Sequence, residues 1–152
     1  MAVKDRGKRL SPGAVTFVDV TVSSAALLAL FATPKQLVAA VPGQAIIFEG
    51  AVAYMPYNGT AYAGVALGED LSIKYTDGAG LEVAQCETTG FLDQTTNQLR
   101  HIRPQAAAAA AISSITPVPN SPLVLHLLVG EITTGNSVLR LRVYYRLVPA
   151  TL

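Results

Sequence analysis

The strongest constraint in this chain lies near its C-terminal end, where every second residue from Leu139 to Leu147 is apolar. Leu139, Leu141, Val143, Tyr145 and Leu147 share one phase, and Arg140, Arg142, Tyr144, Arg146 and Val148 share the other. Side chains of an extended strand point alternately to its two sides, so this period predicts a β-strand with one face in a core and one face outside it.

Weaker forms of the pattern recur along the chain. Val18, Val20 and Val22 alternate with Asp19, Thr21 and Ser23. Ile46, Phe48, Val52 and Tyr54 are expected on one face of a strand, with Glu49 on the other and Ile47 apolar as well. Leu71, Ile73 and Tyr75 alternate with Ser72, Lys74 and Thr76, and Leu81 and Val83 resume after Asp77-Gly78-Ala79-Gly80, a hairpin signature. Leu123, Leu125, Leu127 and Val129 alternate with Val124, His126 and Leu128.

Further strands are expected over Lys35–Ala40, Tyr62–Leu67 and Leu99–Arg103, and a hairpin loop over Thr133–Ser137. Ser23 or Ser24 can cap a short helical turn over Ala25–Leu30, which Pro34 stops. The run of alanines at 106–111 is too short for a stable isolated helix and sits in a Pro-rich stretch, 104–122, expected to be a surface excursion. Nothing suggests βαβ alternation or an internal repeat. The pattern predicts an all-β, single-domain antiparallel β-sandwich over residues 15–152, jelly-roll-like, behind an extended N-terminal arm over residues 1–14.

Composition sharpens this. A chain of 152 residues can bury a core without disulfides. Charged residues make up only 14% and hydrophobic ones 51%, against about 25% charged in an ordinary soluble domain. Such a surface is suited to being covered by a partner. The net charge of +1 is unevenly spread: Lys4, Arg6, Lys8 and Arg9 crowd the first residues, and the body beyond them is slightly acidic. A basic arm on an acidic body is suited to an acidic partner surface. The single cysteine, Cys86, excludes an internal disulfide. No apolar run is long enough to span a bilayer and no secretory signal is evident, so no membrane role is expected.

The residues of chemistry are sparse. His101 and His126 lie in separate alternating segments, and with one cysteine they do not form a zinc set. Neither calcium nor phosphate-binding motifs occur, so no cofactor is expected. Cys86 would need a base such as His101 or His126 brought to it by the fold, has no family-like signature around it, and reads as a buried structural thiol; Glu69 and Asp70, adjacent in sequence, diverge if extended. The chain is therefore not expected to be an enzyme. The sharpest polar feature is the set Arg140, Arg142 and Arg146 with Tyr144 between them. Arginine and tyrosine are enriched at protein interfaces, so the set suits an oligomer or partner interface as well as plain solvent exposure. A slightly acidic body argues against nucleic acid.

The segments TVSSAALLALFATPKQLVAA and VPGQAIIFEGAVAY, then LSIKYTDGAG, ETTGFLD and VLHLLVGEITTGNSVLRLRVYYRLV, in that order, resemble the small head decoration, or cement, proteins of tailed bacteriophages over residues 18–148. The resemblance implies a structural virion protein made in the bacterial host cytoplasm. It implies a dimer or trimer on the outer surface of an icosahedral head, bound to the major capsid protein over joints between capsomers. Lys4, Arg6, Lys8 and Arg9 are then expected to act as a capsid-binding arm, with Arg140, Arg142, Tyr144 and Arg146 at the oligomer or partner interface. A tail or head-fibre accessory, and a carbohydrate-binding jelly roll using Tyr54, Tyr57 and Tyr62, are the alternatives.

Overall fold

The structure, a computed structural model, describes residues 13–65, 68–105 and 116–150. It has eight strands: β1 (Thr16–Val22), β2 (Lys35–Val38), β3 (Gln44–Met55), β4 (Asp70–Tyr75), β5 (Glu82–Glu87), β6 (Gln98–Ile102), β7 (Leu123–Leu127) and β8 (Leu139–Pro149). A short helix, α1 (Ser24–Leu28), follows β1, and the Ser23 hydroxyl caps it by accepting from the Ala26 N–H at 3.2 Å.

The strands form two four-stranded antiparallel sheets, β1-β8-β3-β6 and β2-β7-β4-β5. The pairing is concentric: β1 with β8, β2 with β7, β3 with β6 and β4 with β5. The chain is thus one long hairpin, with its tip at Asp77–Gly80, rolled upon itself. Pairing of β3 with β8 and of β4 with β7 closes the roll into a sandwich. This is the jelly-roll order, and the β-sandwich read from the sequence is the fold observed.

The inner faces supply one continuous core. Leu139, Leu141 and Val143 of β8 meet Ile46, Phe48, Ala53 and Met55 of β3, and Leu71, Ile73, Leu125 and Leu127 face them from the other sheet. Each fully buried leucine or isoleucine contributes about 1.5–3 kcal/mol relative to exposure. Tyr75 crosses the sandwich, and its buried hydroxyl donates to the Ile46 carbonyl.

Three expectations are corrected. Val52 and Tyr54 do not share the face of Ile46 and Phe48. The β3–β8 register shifts between Phe48 and Gly50, so a β-bulge at Glu49 reverses the phase of β3 and turns Ala51, Ala53 and Met55 inward instead. Thr133–Ser137 does not close a hairpin, because β7 and β8 belong to different sheets and the segment crosses between them. Around Tyr62 there is an isolated bridge, Ala63 to Thr133, rather than a strand, and 66–67 lie outside the described residues.

The two sheets differ in their outer faces. β1 and β6 alternate between half-buried and exposed positions, whereas every residue of β7 is buried. The segment after α1 covers β7. Phe31 stacks on His126 with ring centroids 5.5 Å apart, and the Glu131 carboxylate accepts from the N–H groups of Phe31 and Ala32 at 3.2 and 2.9 Å. His126, only 7% exposed, lies within 3.0 Å of the Phe31 carbonyl through Nε2 and within 3.3 Å of Lys74 Nζ through Nδ1. An ammonium can only donate, so Nδ1 accepts and Nε2 carries the proton. Burial, then the Lys74 charge, hold the imidazole below its ordinary value of 6.5, against the opposing pull of the Phe31 carbonyl, Glu69 and Glu131.

Two predictions follow from this geometry. An added Cβ at Gly80 would lie 1.6 Å from the Tyr75 carbonyl oxygen, whereas at Gly43, which is at positive φ, it would meet nothing within 4 Å. Gly43→Ala should cost about 1 kcal/mol from backbone conformation alone, and Gly80→Ala on the order of 3 kcal/mol because the hairpin tip must open. Denaturant melts read both, and equal midpoints would show that the tip adjusts freely. Since His126 is harder to protonate when folded, the unfolded chain takes up the proton first as pH falls through about 6.5. Stability should be full above that value and decline below it. Wild type should therefore lose more melting temperature than His126→Gln between about pH 7.5 and 5.5; parallel curves would refute the assignment.

Candidate interaction surface

The outer face of β1-β8-β3-β6 is built from the outward phase of each strand. β8 contributes Arg140, Arg142, Tyr144 and Arg146 along its centre. Thr21, Asp19 and Phe17 of β1 stand opposite Arg140, Arg142 and Tyr144 in register. On the other flank Tyr54, Val52 and Gly50 of β3 stand opposite the same three residues. β6 adds Leu99 and His101, opposite Tyr54 and Val52. The sequence expectation that the four β8 side chains share one face is thus met by the geometry, and three strands join them there.

The arginines are not equivalent. Arg142 makes a two-pronged ion pair with Asp19, Nε to Oδ1 at 2.7 Å and a terminal nitrogen to Oδ2 at 2.8 Å. Its guanidinium also lies 4.4 Å from the centre of the Phe17 ring, a cation–π contact. The hydrogen bond from Arg142 holds the Asp19 carboxyl below its usual range, and the same bond raises the guanidinium in turn. Arg146 reaches Glu49 at 2.5 Å, and Glu49 raises it likewise. Glu49 is on the outward side of β3, where the alternation ahead of the bulge places it. Arg140 has no carboxylate partner among the described residues.

Apolar surface lies between these charges. Phe17 and Leu99 are each 52% exposed, far above what a large apolar side chain shows in a core. Phe17 packs against Tyr144 with centroids 6.1 Å apart. Tyr144 stands between two shallow recesses. One, of about 380 Å³, is floored by Val52 and bordered by Tyr54, Arg140 and Arg142. The other, of about 200 Å³, lies over Gly50 beside His101 and Arg103. Sequence reasoning missed Phe17, Asp19, Glu49 and Tyr54 as members of this face. Cross-strand register brings the first two to β8, Glu49 keeps the outward phase of β3, and the bulge brings Tyr54.

The remaining sequence candidates fall elsewhere. Lys4, Arg6, Lys8 and Arg9 lie outside the described residues, as does the alanine run. The chain that follows the basic sequence is fixed: the Gly13 N–H donates to the Leu147 carbonyl at 3.1 Å, and Arg146 Nη1 lies 3.4 Å from the Gly13 carbonyl. Of the tyrosines weighed for carbohydrate, Tyr62 is 2% exposed and its hydroxyl donates to the Ser137 carbonyl, so Tyr54, Tyr57 and Tyr62 do not form one exposed platform. Burial pushes the Cys86 thiol up to about 11, which keeps it protonated at neutral pH and a poor nucleophile. No cluster of three or more His, Cys, Asp or Glu suited to a metal occurs among the described residues. No helix among them is long and apolar enough to cross a membrane.

No protein-family model matches the chain, and no curated protein is similar to it. Among solved structures it is similar to a chain from the capsid of Ralstonia phage GP4, at 14% identity and a TM-score of 0.46, over 92% of each chain. At so low a score the likeness carries no argument, and the functional reading rests on the chain's own residues.

The Asp19–Arg142 pair is open to solvent, with side chains 59% and 47% exposed. Solvent screens such a pair. Asp19→Asn should therefore leave the thermal midpoint within error of wild type while freeing the Arg142 guanidinium. A large drop would show that the pair holds β1 in place.

Proposed function

We propose that the chain is a structural protein of a phage virion that decorates the outside of the head and stabilises joints between major capsid proteins. The observation that carries this reading is the open face of β1-β8-β3-β6, where exposed phenylalanine and leucine and half-buried tyrosine lie among arginines, with the basic N-terminal sequence joined to its Arg146 end. Exposed apolar patches on a small domain mark interaction sites. The segment-by-segment resemblance to cement proteins supports the same role, and jelly rolls are common among viral shell proteins.

The role asks for no reaction, only adhesion to a repeating surface. As a dimer or trimer, the protein would engage two or three equivalent surfaces at once and gain avidity without new kinds of contact. Lys4, Arg6, Lys8 and Arg9 extend the contact along an acidic shell, and ordering of a polar arm on binding lengthens an interface at modest affinity per unit area.

Purified protein mixed with expanded shells that lack it should pellet with them and saturate at a fixed ratio to the major capsid protein. Deletion of residues 2–12, which spares the Gly13 anchor, should lower occupancy and leave the circular dichroism spectrum unchanged. Absence of pelleting by the folded full chain would redirect the role to a tail or fibre component. Undiminished occupancy of the deletion would remove the arm from the contact.

A further inference from the structure

We infer that the outer face of β1-β8-β3-β6 is the docking surface of the body, and that it takes a carboxylate-bearing surface of another protein. The inference rests on the decoration reading, in which that protein is the shell.

Charge makes the first argument. Four basic residues, Arg103, Arg140, Arg142 and Arg146, stand on or beside the face against two acids. Both acids are already engaged, Asp19 by Arg142 and Glu49 by Arg146. The rest of the described chain reverses the sign, with three basic and seven acidic residues. The face is therefore basic relative to the rest of the described chain, and the exposed ring of Phe17 sits among its arginines.

Arg140 makes the second. It is exposed on the central strand near one end of the face, between Thr21 and Tyr54, with no carboxylate of the described chain at hand. A guanidinium covered by a partner is best matched by a carboxylate, which accepts two of its N–H donors and offsets a burial cost of several kcal/mol for the bare charge. Beside it the recess floored by Val52 has room for an aliphatic or aromatic neighbour of that carboxylate. The partner's chemistry follows: an acidic side chain next to an apolar one.

Continuity makes the third. Gly13 is bonded to Leu147 and approached by Arg146, so the sequence carrying Lys4, Arg6, Lys8 and Arg9 joins the face at its Arg146 end. Face and arm then suit one acidic partner. A second copy applied face to face would meet its own excess of positive charge. A nucleic acid would meet Asp19 and Glu49 interleaved with the arginines, which repel phosphate, and too small a net charge.

The test uses the full chain and expanded shells lacking it. Arg140→Glu should bind the shells at least about tenfold more weakly than wild type, with an unchanged thermal midpoint and an unchanged mass by light scattering. Tyr144→Ala should weaken binding in the same direction. Lys35→Glu makes the same charge change on β2 of the other sheet and should bind as wild type does. Wild-type binding retained by Arg140→Glu would overturn the inference while leaving the decoration role standing. A fall in mass of Arg140→Glu would overturn it by making the face a contact between copies. Displacement of wild type from shells by duplex DNA would overturn it in favour of a phosphate-binding face. If wild type itself fails to pellet, the decoration reading falls and this inference with it.

Discussion

Strand β8 lies between β1 and β3, and this placement is the constraint on which the rest of the molecule depends. The last strand is paired on both edges, so the first strand and the middle of the chain are held through it. Its inner phase fills the core and its outer phase forms the centre of the open face. Stability and surface chemistry are thus two readings of one alternation. A slip of one residue would carry Arg140 and Arg142 into the apolar interior and Leu139 and Leu141 into water, so register is enforced by the most costly error available.

The bulge at Glu49 is the second device. Before it, even-numbered residues of β3 face the core; after it, odd-numbered ones do. The shift puts small side chains, Ala51 and Ala53, inward and releases Val52 and Tyr54 to the surface. It also leaves Gly50 beneath the position opposite Tyr144, where an added Cβ would approach the Ile102 carbonyl to 3.3 Å. A side chain there would press on β6 and fill the recess beside Tyr144. Backbone irregularity, rather than side-chain identity alone, shapes this part of the face.

Much of this was legible in the sequence, because period-two alternation is local. β1, β4, β8 and the Asp77–Gly80 tip are read directly from their residues, as is the Ser23 cap. What was not legible is what depends on distant partners. The inward Val52 and Tyr54 expected from simple alternation fail because a bulge is defined against the neighbouring strand. β7 looks half-open, yet its outward His126 is covered by Phe31 from a segment far away in sequence. The crossing at Thr133–Ser137 resembles a hairpin loop because both kinds of connection need the same glycine and asparagine chemistry. On the face, the arginine–tyrosine set could be named from β8 alone, but Asp19 and Glu49 could not be matched to it without the register.

That matching bears on how the face can recognise a partner. Ion pairs open to water add little to folding stability, so Asp19–Arg142 and Glu49–Arg146 are poorly explained as struts. Their effect is to fix two long side chains. Asp19 grips Arg142 by two hydrogen bonds while Phe17 supports its guanidinium from one side, and Tyr144 leans on Phe17 in turn. Side chains already held in place lose less freedom when covered, and preorganisation of this kind improves affinity without adding contacts. The paired arginines thus form a stiff frame beside the guanidinium of Arg140, which, like that of Arg103, has no carboxylate partner among the described residues. Selectivity then follows from what the frame leaves unsatisfied: a surface that offers a carboxylate at that point completes it, and one that does not must bury a bare charge.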